Sequence, residues 1–146
     1  MIKQHASVVA IDRKAILIRG PSGAGKSDLA LQLIGSGARL VSDDYVELQA
    51  LNGRLWAHTP EQLKGMMEVR GLGVIKNLAY VSGVQVTLCC DLVPCAEIDR
   101  FPDPPLTTCF ENIDIALMNL DPSYRSNGNR IRLALDRLSQ IWPSLD

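Results

Sequence analysis

No stretch of this chain approaches the ~18 consecutive apolar residues that a membrane span requires. The longest apolar runs, "AILI" and "VTLCC", are strand-sized. The N-terminus, "MIKQHASVVAID", lacks a long apolar region followed by small residues, so no signal peptide is expected. Neither sign of charge dominates: 15 Lys and Arg stand against 16 Asp and Glu, for a net charge of −1. A nucleic-acid binder usually carries a basic excess or stripe. The nearest approach here is Arg125, Arg130, Arg132 and Arg137, interspersed with Asp121 and Asp136, which reads as a solvated helix face. The four cysteines form no C-x-x-C pair and have no histidine close by, which leaves no zinc pattern. Cys89 and Cys90 lie in an apolar run and read as small hydrophobes in a reducing cytoplasm. Internal repeats, low-complexity tracts and linkers are also missing. With 47% hydrophobic residues the chain can fill one core. One domain over residues 1–146 is therefore expected, cytoplasmic, with neither nucleic acid nor membrane as partner.

What is present is a succession of short β-rich runs and two helical ones. "SVVAID" and "AILIRG" flank the polar turn Asp12-Arg13-Lys14 and predict a hairpin. "KSDLALQLIG" predicts a helix with Leu29, Ala30 and Leu33 on one face, Asp28 at its positive end and Gly35 as its stop. "ARLVSDD" is a strand. "YVELQA" and "RLWAHTP" form a hairpin over Asn52-Gly53. "PEQLKGMM" reads as a short helix, "GVQVTLCCDL" as a buried strand, "RFPDPP" as a rigid surface loop and "ENIDIALMNL" as a strand. "NRIRLALDRLSQIW" spaces Ile131, Leu135, Leu138 and Trp142 helically. Strand, loop, helix, strand at the start implies a crossover and some parallel pairing. The fold class is α/β, a mixed parallel and antiparallel sheet flanked by helices.

The stretch "RGPSGAGKSDLAL" matches G-x-x-x-x-G-K-S/T over Gly20, Pro21, Ser22, Gly23, Ala24, Gly25, Lys26 and Ser27. Phosphate oxygens must approach backbone N–H groups closely, and glycines permit that wrap. The following helix points its positive end at the same anion. Lys26 is expected as a solvent-facing charge reaching the terminal phosphates, and Ser27 as a Mg²⁺ ligand. The motif's position between an apolar strand and an amphipathic helix is the context that supports it. A nucleotide triphosphate is the expected ligand.

Asp43 and Asp44 end the first strand after that helix, at the sheet edge where α/β ligands bind. One of two adjacent carboxylates can hold Mg²⁺ while the other takes a proton from an incoming hydroxyl. Asp91, closing the apolar run "VTLCCD", is a rival metal carboxylate. His5, ahead of the first expected strand, and His58, in the second hairpin, read from residue type alone as structural or surface side chains.

At "EVRGLG", taken with "GPSGAGKSDLAL" and "ARLVSDD", the chain resembles the catalytic domain of HPr kinase/phosphorylase, over roughly residues 4 to 120. That family is the bifunctional serine kinase of the bacterial phosphotransferase system. The resemblance implies a P-loop kinase-like domain that uses ATP and Mg²⁺ to phosphorylate a serine of an HPr-like phosphocarrier and phosphorolyses the phosphoserine in reverse. It implies Asp43 as catalytic acid/base, Asp44 as its partner at the metal, and His5 as an active-site histidine. Glu68 and Arg70 are expected near phosphates, metal and protein substrate, with Glu68 at the metal alongside Ser27 and Asp44. It also implies a homo-oligomer, a hexamer in the family. Longer members carry an N-terminal domain and an Arg-Pro-Gly-Arg-Asn-like C-terminal loop. This chain resembles the short single-domain type found in some proteobacteria, with "RSNGNRIRLALDRL" in place of that loop. Two other readings accommodate the P-loop: a small-molecule kinase, which leaves "EVRGLG" unexplained, and a non-catalytic nucleotide-binding regulator, which leaves the double aspartate unexplained. A GTPase is not expected, since no N-K-x-D guanine-reading motif is present.

Overall fold

Left-handed residues at tight reversals set the frame of the sheet. In the computed structural model, which describes residues 1–145, Asp12 and Arg13 adopt φ of 49° and 64°. Asp146, the last residue of the expected domain, lies outside the described residues. The reversal at Asp12 and Arg13 folds β2 (Ser7–Ile11) antiparallel onto β3 (Lys14–Arg19), as expected. Asn52 and Gly53, at 54° and 74°, do the same for β5 (Tyr45–Leu51) and β6 (Arg54–His58), the Asn-Gly chemistry of a hairpin turn. A third reversal at Glu111 and Asn112 joins β10 (Thr107–Phe110) to β11 (Ile113–Leu120).

The glycine-rich loop leads from β3 into α1 (Lys26–Gly35), which ends at Gly35 as expected. The chain then enters β4 (Arg39–Ser42), which runs in the same direction as β3 without touching it. The antiparallel β2 lies between the two and pairs with both. Parallel pairing occurs elsewhere: β9 (Val84–Leu92) lies parallel to β3 on one side and to β11 on the other, while its first residues pair antiparallel with β6. The mixed sheet is therefore branched at β9. β1 (Ile2–His5) adds an outer strand against β5.

Alternation along the central strands divides the core. Val9, Ile16, Ile18, Leu88 and Cys90 face Leu29, Ala30 and Leu33 of α1 and Ile131 and Leu135 of α2 (Asn127–Asp136). Val8, Ala15, Leu17, Val86 and Cys89 face the opposite way and pack against Val46, Leu48, Leu55 and Phe110, all from strands. The two long helices thus cover one face, and the sheet's own curl covers the other. Burying each large aliphatic side chain contributes about 1.5–3 kcal/mol.

Four local expectations change. β1 is a strand where none was read, so His5 ends a strand instead of preceding the first. "PEQLKGMM" contains only a 3₁₀ turn at Glu61–Leu63, because Gly65 at φ 68° turns the chain and accepts a hydrogen bond from the Leu78 N–H at 2.9 Å. Met67 then enters β7 (Met67–Val69), paired with β8 (Gly73–Ile75). β10 was not foreseen as a partner for β11. The last helix breaks at Arg137, where φ is −117°, and resumes as α3 (Leu138–Ile141). Trp142 follows buried, its indole N–H donating to the Leu106 carbonyl at 2.8 Å.

Candidate active site

Because β3 and β4 run the same way and β2 runs against them, the ends of β3 and β4 and the start of β2 meet at one sheet edge. The glycine loop, Asp43, Asp44 and Ser7 all arrive there. Gly20 sits tightly: a Cβ on it would lie 3.1 Å from that of Ala24 and 3.2 Å from that of Leu92. Gly25 caps α1 at φ 105°, a conformation that disfavours any side chain. No side chain caps this helix, so its first N–H groups remain open donors beside the loop.

Lys26 is not the solvent-facing loop charge expected from the sequence. It is the first residue of α1 and only 8% exposed. Its ammonium donates to the carbonyls of Gly20 at 2.8 Å and Pro21 at 3.0 Å, tying the loop to the helix that follows it.

Asp43 is buried and accepts three hydrogen bonds. Its Oδ1 accepts from the hydroxyls of Ser7 at 2.7 Å and Ser27 at 2.9 Å, and its Oδ2 accepts from the backbone N–H of Glu68 at 3.0 Å. The last bond anchors the β7–β8 hairpin, which carries "EVRGLG", across the end of β4, with Met67 buried beneath it. Asp44 behaves differently. It adopts φ 74°, its side chain is 64% exposed, and its Oδ1 lies 3.3 Å from Nε2 of His5. The His5 ring rests against Tyr45, 5.2 Å between centroids, which fixes it at the end of β1.

These groups line one cavity of about 390 Å³. Ser22, Gly23, Gly25, Lys26 and Ser27 form one side, Asp43, Asp44 and His5 the next, and Glu68 and Arg70 the hairpin side. Gly20, Pro21 and Ala24 belong to the same loop but are not in its wall. Ser7 lines the cavity too and was missed at the sequence level; its signal is a hydroxyl heading the apolar run directly after His5. Among the described residues no three carboxylate, imidazole or thiol groups cluster as a closed metal cage. Mg²⁺ is usually held by one or two carboxylates and fills its other positions with phosphate and water, a requirement met by Asp43 and Glu68, which line this cavity beside the Ser27 hydroxyl.

Asp91 stands apart. Arg19 grips it through two bonds, Nε to Oδ1 at 2.7 Å and Nη2 to Oδ2 at 3.0 Å, and stacks on Phe110 at 5.3 Å. Burial works against the charge of Arg19, but the Asp91 hydrogen bond and charge outweigh it and raise the guanidinium above its ordinary value. Asp91 does not line the cavity, which removes the ground for the rival metal carboxylate. His58 is also remote, with Nε2 2.9 Å from Oε1 of Gln49 on the neighbouring strand. Burial pushes the Cys89 thiol up to about 12 and Cys90 well above the ordinary range. Both are buried, as expected for small hydrophobes.

A glycine-rich loop closed by a helix N-terminus, opposite strand-end carboxylates on a mixed sheet, defines an α/β protein of P-loop kinase-like fold. The family model described as HPr Serine kinase C-terminal domain matches residues 1–119, and the chain belongs to that family. The HPr kinase/phosphorylase of Clostridium beijerinckii is 48% identical over 71 residues, which are 49% of this chain and 24% of that protein. That of Mycoplasma genitalium is 39% identical over 85 residues, 58% of this chain and 27% of that protein. The matched part of the chain thus covers about a quarter of the length of these relatives. The structure of the Hpr(Ser) kinase/phosphatase from Coxiella burnetii superposes with a TM-score of 0.82 at 26% identity, covering 96% of this chain and 97% of that one.

Proposed function

We propose that this chain is an ATP-dependent kinase that phosphorylates a serine of an HPr-like phosphocarrier and, in a second reaction, removes that phosphate by phosphorolysis to give pyrophosphate. The observation that carries the reading is the placement of an exposed, histidine-paired carboxylate, Asp44, in the same cavity as the P-loop and the Ser27–Asp43 pair. The names of the relatives support the choice of substrate.

The division of labour between the aspartates follows from their surroundings, and it reverses the one implied by resemblance. Asp43 is buried and accepts from two hydroxyls and an N–H, which leaves about one of its roughly four acceptor sites open, on the Oδ2 that the Glu68 N–H already holds. Its bond to Ser27 suits it to hold the metal side, with Glu68 completing the oxygens offered. Bound Mg²⁺ would neutralise phosphate charge as it builds up in transfer. Asp44 is open to the cavity, and His5 orients it. It accepts the proton of the substrate serine as that oxygen attacks the γ-phosphorus and the bond to the β-phosphate oxygen breaks. In phosphorolysis an oxygen of inorganic phosphate attacks the phosphoserine phosphorus, the bond to the serine oxygen breaks as pyrophosphate forms, and Asp44 gives the departing serine oxygen its proton. The open N–H groups at the start of α1 and the Lys26 ammonium stabilise the transferred group, and Arg70 on the hairpin meets the substrates at the rim.

The test is transfer of label from γ-labelled ATP with Mg²⁺ to serine on HPr-like carriers. The wild type labels serine; Lys26→Ala does not. Thermal unfolding is recorded beside it, because Lys26 also ties the loop. Label appearing on a small-molecule hydroxyl and on no carrier would establish the small-molecule kinase reading instead.

A further inference from the structure

A second cavity of about 390 Å³ opens on the other flank of the same glycine loop. Gly23, Gly25 and Asp28 line both cavities. The second is walled by the ends of the parallel strands: Leu92 closes β9, and Pro122 and Tyr124 follow β11. It contains no carboxylate pair and no histidine. Its distinctive feature is Asn127, at the first residue of α2 and 2% exposed. The Asn127 amide donates through Nδ2 to the Asp121 carbonyl at 2.8 Å, and its Oδ1 has no partner. A buried acceptor without a donor is costly and calls for a ligand or ordered water to satisfy it. Tyr124 is held in place on the wall, with the Arg130 guanidinium 4.5 Å from its ring centre and its hydroxyl 2.9 Å from the sulfur of Cys95.

We propose that this second cavity holds the nucleoside of the nucleotide, with Tyr124 against the base and Asn127 Oδ1 accepting from the 6-amino group of adenine. The inference rests on the kinase reading, which puts the γ-phosphate beside Asp44. A triphosphate wrapped by the loop with one end in the first cavity directs its other end to the opposite flank. There Leu29, Leu92, Pro122 and the Tyr124 ring offer apolar surface beside the polar Asp28 and Gln32, and the buried acceptor of Asn127 matches a base that presents a donor.

Binding measurements with Mg²⁺ present separate this inference from the reading beneath it. The wild type should bind ATP about tenfold more tightly than inorganic tripolyphosphate, the scale of base–aromatic stacking. Tyr124→Ala should remove most of that difference while leaving tripolyphosphate affinity unchanged, and Tyr124→Phe should keep it. ATP should also bind about threefold to tenfold more tightly than purine riboside triphosphate, which lacks the 6-amino group. Equal affinity of the wild type for ATP and tripolyphosphate overturns the nucleoside cavity and leaves the P-loop reading standing. Equal loss of both ligands in Tyr124→Ala also overturns it, since that pattern marks a structural role. Equal affinity for ATP and the 6-hydrogen analogue removes Asn127 from recognition. Failure of the wild type to bind either ATP or tripolyphosphate overturns the P-loop reading itself.

Discussion

Asp43 follows the last residue of β4 and Asp91 is the second-last residue of β9, and the two carboxylates have different fates. At the end of β4, Asp43 accepts from two serine hydroxyls and a backbone N–H, and Asp44 beside it turns outward through a left-handed residue to meet His5. At the end of β9, Asp91 is clamped by Arg19, its register partner on β3. An apolar strand closing in Asp marks a metal carboxylate only if the neighbouring strand leaves it free. On β9 the neighbour supplies a guanidinium and the carboxylate becomes structural. On β4 the neighbour is β2, which begins with Ser7 and supplies a hydroxyl, so the pair stays available to the glycine loop.

The largest effect expected from breaking this contrast is at Asp44. Asp44→Asn keeps the shape but cannot take a proton, and general-base removal slows transfer by about 10²–10⁴. ATP–Mg²⁺ affinity should stay within about twofold of wild type, and phosphorolysis should slow along with transfer; single-turnover rates of both reactions check this. Asp43→Asn sharpens the contrast from the other side. It turns an NH₂ group toward donors and disturbs Ser27, so ATP–Mg²⁺ binding should weaken by about tenfold or more and recover partly as Mg²⁺ is raised, measured by titration. Asp91→Asn should leave transfer within about twofold and lower stability by about 1–2 kcal/mol, a few degrees in Tm, because Arg19 loses its charged partner. The smallest effect concerns the buried thiols behind Asp91. With Cys89 pushed up to about 12, both it and Cys90 stay protonated at neutral pH. A thiolate-selective reagent on the native protein should therefore modify the exposed Cys95 and Cys109 and reach the other two only after unfolding.

What could be read from the sequence was whatever rested on short-range chemistry. The Asp12-Arg13 and Asn52-Gly53 reversals, the apolar face of α1 and the glycine loop are all written in adjacent residues. What escaped depended on distant partners. "IKQH" carries no strand signal of its own and becomes β1 because β5 presents a free edge. "TTCF" becomes β10 for the same reason against β11. "EQLKGMM" has helical composition, but Gly65 packs against Leu78 and turns the chain so that Met67 can be buried. At the site, proximity in sequence put Asp43 and Asp44 together and could not rank them. Only the resemblance ranked them, with Asp43 as the acid/base; their surroundings differ because Ser7 and the Glu68 N–H reach Asp43 from β2 and β7, while His5 reaches Asp44 from β1. The second cavity was invisible for the same reason: Leu92, Tyr124 and Asn127 share no motif and meet only because β9 and β11 end side by side.

The most direct test is one phosphotransfer assay run on wild type, Asp44→Asn and Asp91→Asn, with γ-labelled ATP, Mg²⁺ and an HPr-like carrier, following label on the carrier's serine. The expected result is comparable labelling by wild type and Asp91→Asn and a rate at least about a hundredfold lower for Asp44→Asn despite retained ATP binding. Wild-type labelling by Asp44→Asn, or loss of labelling in a folded Asp91→Asn, would contradict the assignment of the chemistry to the end of β4.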